Sequence, residues 1–372
     1  MIGLMRKNLV DLPTNFSLNY WWCSGFMIGS FLMLQIGTGI ILSFLYVADV
    51  NLSFMCVTEF TNDSVFSWFM RYGHIWGVSF IFILYFVHMG RALYYSSYGK
   101  VGVWNVGFIL YLLMMAEAFL GYILPWHQMS YWAATVITSI LQGIPVIGNS
   151  LFKYVVGGFS VTNDTLVRVF SAHVCLAFVI MGVAVLHMYY LHLKGSNNPL
   201  YLSEGYGDVV LFHSYFSVKD LFSLLCLLTG LVIILLVGPD TLLDVEGYIE
   251  ADTLVTPVSI KPEWYFLAFY AMLRSVESKL GGLILVLGFL VLLWLPTMNF
   301  SCVYCEFRQS IFWWIVSIFG LLTYLGACHP VPPYVTLSKS ASGLIVALMF
   351  LFKSSTVLSY EVDNEDEYVT VE

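Results

Sequence analysis

The chain has 372 residues, 59% of them hydrophobic and only 10% charged, with a mean hydropathy of +0.84. That balance excludes an ordinary soluble core and points to an integral membrane protein. The net charge of −8, from 23 acids against 15 bases, argues against a nucleic-acid partner.

Residues 1–20 are mixed and polar, with Pro13 and Asn15, and show no targeting-peptide pattern. Eight apolar runs then predict membrane-spanning helices, at about 22–46, 68–95, 104–125, 165–192, 220–238, 280–299, 311–328 and 339–357. The expected fold is therefore all-α with eight transmembrane helices. The even count places both termini on one side. The acidic loops after the first, third and fifth runs are assigned to the positive side of the membrane, and the termini to the negative side.

The first four runs share one spacing. Gly25 and Gly39 lie 14 residues apart, as do His74 and His88, Gly107 and Gly121, and His173 and His187. At 100° and 1.5 Å per residue, 14 residues return a side chain to within about 40° of its starting face, roughly 21 Å along the axis. Each histidine run thus offers two imidazoles on one stripe at two depths. A single run crosses between them, so the two histidine helices point the same way. His74 then faces His173 at one level, and His88 faces His187 at the other.

An ionisable group inside a bilayer is costly and usually functional. Two trans imidazoles per level, without thiolates, suit a six-coordinate heme iron, whereas zinc would want four ligands and a polar surround. The inference is two non-covalent b-type hemes stacked across the membrane, held by an N-terminal four-helix bundle. The four glycines remove a Cβ where a macrocycle presses on backbone, although small residues also serve plain helix packing. Arg71, Arg91 and Arg168 flank the histidines at the helix ends. They suit heme propionates, and would equally serve as snorkelling anchors.

Pro125 should stop the third helix. The amphipathic stretch Gln128–Thr135, broken afterwards by Gly143, Pro145 and Gly148, predicts an interfacial helical hairpin. His192 follows His187 by five residues, and Asp220 opens the fifth run after Lys219. This His and Asp either hold a quinone ring and exchange protons or simply solvate their loops. The next loop carries seven acids and the run Lys261-Pro262-Glu263-Trp264-Tyr265-Phe266, followed by Tyr270 and Arg274. An acid among aromatics has raised proton affinity and can take a proton from a hydroquinone. It can instead stabilise the N-terminus of the helix after Pro262. Cys302 and Cys305 form a CxxC without a following His or a second pair, which is neither a c-type heme site nor a zinc ribbon. Six acids between Glu361 and Glu372 read as a solvated tail. The chain divides into 1–210, the di-heme bundle with its surface hairpin, and 211–372, the remaining helices with the acidic loop and tail.

These motifs together resemble the cytochrome b family of respiratory bc complexes, the quinol–cytochrome c oxidoreductases, over essentially the whole chain. The elements that carry the resemblance are the 14-residue His and Gly pairs, the segment Gly121–Thr135 and Pro262-Glu263-Trp264-Tyr265. The resemblance implies that His74 and His173 bind a low-potential heme near the positive side, and His88 and His187 a high-potential heme. It implies a quinol-oxidation site at Glu263 with Tyr122, Tyr265 and Tyr270 nearby, and a quinone-reduction site at His192, Ser196, Lys219 and Asp220. Bifurcated oxidation of ubiquinol, electron transfer between the hemes, reduction of ubiquinone on the far side and proton translocation follow from it. So do a Rieske iron–sulfur subunit, cytochrome c1 and further subunits as partners in a dimeric complex, in the mitochondrial inner membrane or, alternatively, a bacterial plasma membrane. The chloroplast-type relative splits the chain after the fourth helix and spaces its second His pair by 15, so the respiratory branch is favoured.

Three positions depart from the family pattern. His127 stands where Gly is usual and is expected at the surface. Ala133 stands where Gly is common, and its methyl is expected to narrow the oxidation pocket. Glu117 lies inside the third helix, where a small or neutral residue is usual, and is expected to be neutral or hydrogen-bonded. A transporter would call for internal repeats or broken helices at the midplane, and the sequence shows neither.

Overall fold

The computed structural model describes Gly3, Arg6 and residues 10–200, 209–295 and 305–367, with side chains of the last helix as far as Ser355. Its helices are α1 (Ser24–Ser43), α2 (Ser53–Asp63), α3 (Val65–Tyr94), α4 (Val101–Ile123), α5 (Gln128–Leu141), α6 (Gly148–Val156), α7 (Asn163–Lys194), α8 (Phe212–Val237), α9 (Leu267–Arg274), α10 (Lys279–Trp294), α11 (Glu306–Ala327) and α12 (Tyr334–Glu367). Two short strands, β1 (Pro13–Asn15) and β2 (Val209–Leu211), pair antiparallel and tie the N-terminal segment to the start of α8.

Seven of these helices, α1, α3, α4, α7, α8, α11 and α12, are long and apolar enough to cross a membrane, so the protein is multi-pass. The eighth expected span is α10, which has 16 residues. At 1.5 Å per residue it covers about 24 Å, short of a hydrocarbon core of about 30 Å. Its expected continuation to 299 lies outside the described residues, as does Cys302 of the CxxC pair. The backbone of α12 runs into the acidic segment as far as Glu367, and the side chains of that segment lie outside the described residues.

Local chemistry sets the helix starts. Asn19 accepts from the Trp21 amide at 3.1 Å, opening a 3-10 turn that feeds α1. The Ser64 hydroxyl accepts from Ser67 at the head of α3. Thr162 and Thr165 form a reciprocal capping box on α7. The sequence reading missed α2, a short and only moderately apolar helix. Its signal is the four-residue stripe Ser53, Val57 and Thr61, all buried.

The expected N-terminal bundle is built as two pairs. Helix α1 packs along α3, and α4 packs along α7, while contact between the pairs is sparse. Helix α8 lies against α3, and α9 is surrounded by α10, α11 and α12. One apolar core runs from Phe31, Phe80 and Phe82 through Tyr265 and Met272 to Leu322, Ile345 and Phe352. The α5–α6 hairpin has its own smaller core of Ile123, Trp126, Phe152, Val156 and Leu166.

Candidate functional site

The four histidines meet in the two expected couples. His74 on α3 faces His173 on α7 with ring centroids 6.4 Å apart, and His88 faces His187 at 6.4 Å. Their tautomers follow from the groups behind them. The Thr38 hydroxyl donates its only proton to the Leu34 carbonyl at 2.8 Å, so at 2.9 Å from His74 Nδ1 it can only accept. The Ser24 hydroxyl likewise donates to Trp21 O at 2.8 Å and accepts from His88 Nδ1 at 3.0 Å. The Glu117 carbonyl, an obligate acceptor, lies 3.1 Å from His173 Nδ1. Three imidazoles therefore carry their proton on Nδ1 and present the Nε2 lone pair, the form that ligates a metal. His187 Nδ1 faces the Val103 backbone without a well-formed hydrogen bond.

A metal held between two imidazole nitrogens at about 2.0 Å each, with roughly 1.1 Å more from each nitrogen to its ring centre, places the centroids about 6.2 Å apart. The observed 6.4 Å fits that arrangement. Among the described residues no three His, Cys, Asp or Glu side chains converge. The donor set at each level is thus two imidazoles, which suits an iron whose other four ligands come from a macrocycle.

The glycines back these rings one by one. A Cβ on Gly25 would lie 3.2 Å from His88 Cε1, and one on Gly39 3.2 Å from His74 Cε1. At Gly107 the distance to His187 Cε1 is 2.9 Å, and at Gly121 the distance to His173 Cε1 is 2.7 Å. The shared 14-residue period therefore has a local cause. Each of these four glycines lets the Cε1 edge of a histidine on the partner helix approach its backbone.

The arginines sit at the two levels with other partners. Arg71 donates to Thr61 Oγ1 at 3.0 Å. The Arg91 guanidinium lies 5.1 Å from the Trp22 ring, and its buried Nε has no partner. Arg168 donates to the Tyr154 carbonyl at 2.6 Å beside a cavity of about 750 Å³ lined by Lys153, Gly157, Phe159 and Ala172.

A second constellation forms where the loop before α9 meets the end of α4. The Tyr122 hydroxyl lies beside the Glu263 carboxyl and favours its ionised form. Burial, then the nearby Asp244 carboxylate, pushes the Glu263 carboxyl up to about 7. Lys261 Nζ is 2.9 Å from Asp244. Burial alone would raise Asp244, but Lys261 and the Glu246 amide hold it below the usual carboxylate range. Tyr265 stacks on Phe82 with centroids 4.0 Å apart, and burial followed by the Glu263 charge holds its hydroxyl well above the ordinary tyrosine range. Tyr270 is turned away, its hydroxyl donating to Ile260 O at 2.8 Å. Trp264 donates to Ser79 at 3.1 Å and fixes the motif on α3. The loop itself is clamped to the hairpin by Gln128, which donates to Val255 O at 3.0 Å and accepts from the Asp252 amide at 2.9 Å. Sequence reasoning did not connect Asp244 and Lys261 to the site, since nothing local pairs residues 17 apart across a loop.

His127 corrects an expectation. It is 6% exposed rather than a surface residue. Its Nδ1 accepts from the Ser130 amide at 3.0 Å, capping α5, and its ring lies 5.2 Å from Tyr122. Burial, with Arg71 nearby, lowers it to about 3. The unfolded chain takes up this proton below the ordinary value of about 6.5 and the folded chain does not. Stability is therefore fully present above about 6.5 and declines as pH falls, by at most about 1.4 kcal/mol per unit. Asn keeps the cap without the proton. The thermal midpoint of His127→Asn is expected to fall less between pH 7 and pH 5.5 than that of the native protein.

Ala133, at 2% exposure, is packed inside α5. Of the negative-side candidates, Asp220 is buried and in hydrogen-bond contact with the Cys23 thiol. Lys219 lies over the rings of Tyr215 at 4.8 Å and Phe216 at 5.4 Å. His192 ends α7 and Ser196 is exposed beyond it. Among the described residues no hydrogen bond or ion pair joins either of them to Lys219 or Asp220.

Residues 9–195 match the family model described as cytochrome b/b6/petB, and residues 250–346 match the model described as cytochrome b (C-terminal)/b6/petD. A solved structure described as "Hyperthermophilic respiratory Complex III" superimposes with a TM-score of 0.90 at 26% identity, covering 97% of this chain and 97% of that one.

Proposed function

The chain belongs to the cytochrome b family of respiratory bc complexes, and on that premise we propose that His74 with His173, and His88 with His187, are the axial ligands of two b-type hemes. The observation that carries this reading is the locked tautomer. Imidazoles whose Nδ1–H is spent on Thr38, Ser24 and Glu117 keep the Nε2 lone pair free, and the paired rings lie at a centroid separation that fits one metal atom. When bound, the hemes supply one-electron acceptors at two depths of the membrane. Residues 1–210 hold them, and 211–372 contribute the loop and helices that close the oxidation site.

On the positive side Glu263 is the base. At about 7 its carboxyl is close to half ionised at neutral pH, which suits it to accept a proton from a bound quinol and release it outward. Tyr122 favours the ionised form of that carboxyl, and Tyr265 walls the site through its stack on Phe82. On the negative side Asp220 and Lys219, with His192 and Ser196 across the α7 end, would supply protons to a quinone. Ubiquinol and ubiquinone are the substrates in this reading. Of the two electrons of each quinol, one would go to a Rieske iron–sulfur subunit and cytochrome c1 in a dimeric complex and the other to the hemes, in a mitochondrial inner membrane or, alternatively, a bacterial plasma membrane.

Redox titration of the purified complex tests the heme assignment. Two b-type components are expected. His74→Ala should remove one and His88→Ala the other, each halving the heme content per polypeptide. A single component, or loss of the same component in both variants, contradicts the assignment.

A further inference from the structure

One of the four imidazoles has a partner unlike the rest. Behind His74 and His88 stand the neutral hydroxyls of Thr38 and Ser24, and behind His187 the backbone of Val103. Behind His173 stands a carboxylate. The backbone oxygen of Glu117 accepts the His173 Nδ1–H at 3.1 Å, and Oε1 of the same residue lies 3.0 Å from that nitrogen as an ion-pair contact. Glu117 is 9% exposed, and it is the sole acid in the interiors of α1, α3, α4 and α7. Its second carboxylate oxygen, Oε2, is buried and has no hydrogen-bond partner. A buried carboxylate with a free oxygen, joined to a single neutral ring, is an expensive arrangement for packing alone.

We propose that Glu117 is a positioning residue that acts through His173 to lower the reduction potential of the heme at the His74–His173 level. This rests on the heme reading above. Two physical effects act in the same sense. A porphyrin dianion and two neutral imidazoles leave ferric iron with one net positive charge and ferrous iron with none. A fixed negative charge behind one ligand therefore stabilises the oxidised form, and more so in a low-dielectric membrane interior. A carboxylate 3.0 Å from Nδ1 also polarises that N–H and makes the imidazole a stronger donor to ferric iron. Among the described residues no carboxylate stands behind His88 or His187, so Glu117 widens the difference between the two levels.

Two substitutions in the assembled complex test this. Glu117→Gln keeps the shape and an acceptor oxygen but removes the charge. Glu117→Ser offers a neutral hydroxyl of the kind that Ser24 and Thr38 present. Heme content, potentiometric titration of both hemes and the electron paramagnetic resonance of the ferric hemes are read for each. Both hemes are expected to be retained. One midpoint should rise by a factor of ten or more in the reduction equilibrium, about 59 mV for a one-electron couple, with a shift in the g-values of that heme alone. The other midpoint should stay within a factor of two. Unchanged or lowered midpoints in a variant that holds both hemes would overturn the proposal. So would loss of the heme in both variants, which leaves Glu117 a packing role only. A native preparation that contains no b-type heme would instead overturn the heme reading itself, and the two failures are distinguishable by the heme assay.

Discussion

Glu263→Gln is expected to slow quinol oxidation by about two to three orders of magnitude while both hemes and their spectra remain. The size follows from the removal of a positioned general base, which contributes about 10²–10⁴-fold where proton transfer accompanies the reaction. The amide keeps the volume of the side chain and an oxygen for the Tyr122 hydroxyl, so the site should persist without a proton acceptor. The pH profile gives a sharper readout than the rate. The native carboxyl, raised to about 7 by burial and by Asp244, must be ionised to accept a proton. Native activity should therefore rise with pH through about 7 and level off above it. The Gln variant should lack that inflection. Asp244→Asn should move it downward, because the variant removes the charge that helps keep Glu263 protonated. A Gln variant with the native profile would assign the proton to another group.

How much of this was legible in the residues depends on the range of the interaction. The 14-residue pairs of His and Gly were readable because helical periodicity is rigid: once a run is helical, spacing alone fixes face and depth. The couples His74–His173 and His88–His187 needed only the count of intervening spans. The same spacing did not say what the glycines touch, and the structure places each against an imidazole. Three features were hidden for a common physical reason. His127 as a helix cap, Asp244 beside Glu263, and the carboxylate of Glu117 on His173 all depend on side-chain directions set by tertiary packing. The pattern around His127 suggested a loop end, where exposure is the ordinary expectation. Burial arises because the segment after α8 folds over it, with Ala251 donating to Trp126 O at 3.2 Å. The fold of the C-terminal part was legible as apolar runs, and α9 as the helix expected after Pro262, though its eight-residue extent was not.

The glycines carry the second large effect, and it is expected to be graded. Gly121→Val should abolish heme binding at the His74–His173 level, while Gly25→Ala should leave both hemes in place. A Cβ at Gly121 would lie 2.7 Å from His173 Cε1 and 3.2 Å from its Nδ1, distances that force something to move. The ring cannot yield sideways freely, since its Nδ1 is hydrogen-bonded to the Glu117 carbonyl, with the Glu117 carboxylate beside it, on the same helix as Gly121. Movement would displace the His173 ring from its position 6.4 Å from His74, so the pair would no longer be spaced to hold a heme. The added γ-carbons of Val increase the overlap beyond the usual overpacking cost of about 1–3 kcal/mol. At Gly25 the corresponding contact is 3.2 Å to His88 Cε1, which a few tenths of an ångström relieve. There the gain in helix propensity from Gly to Ala, about 1 kcal/mol, offsets much of the strain. Heme per polypeptide by pyridine hemochrome, with the reduced-minus-oxidised spectrum to show which component survives, separates these outcomes. Equal heme loss in Gly121→Val and Gly25→Ala would mean that the glycines serve general helix packing, because only direct contact with the imidazoles ranks them by the distance to each ring.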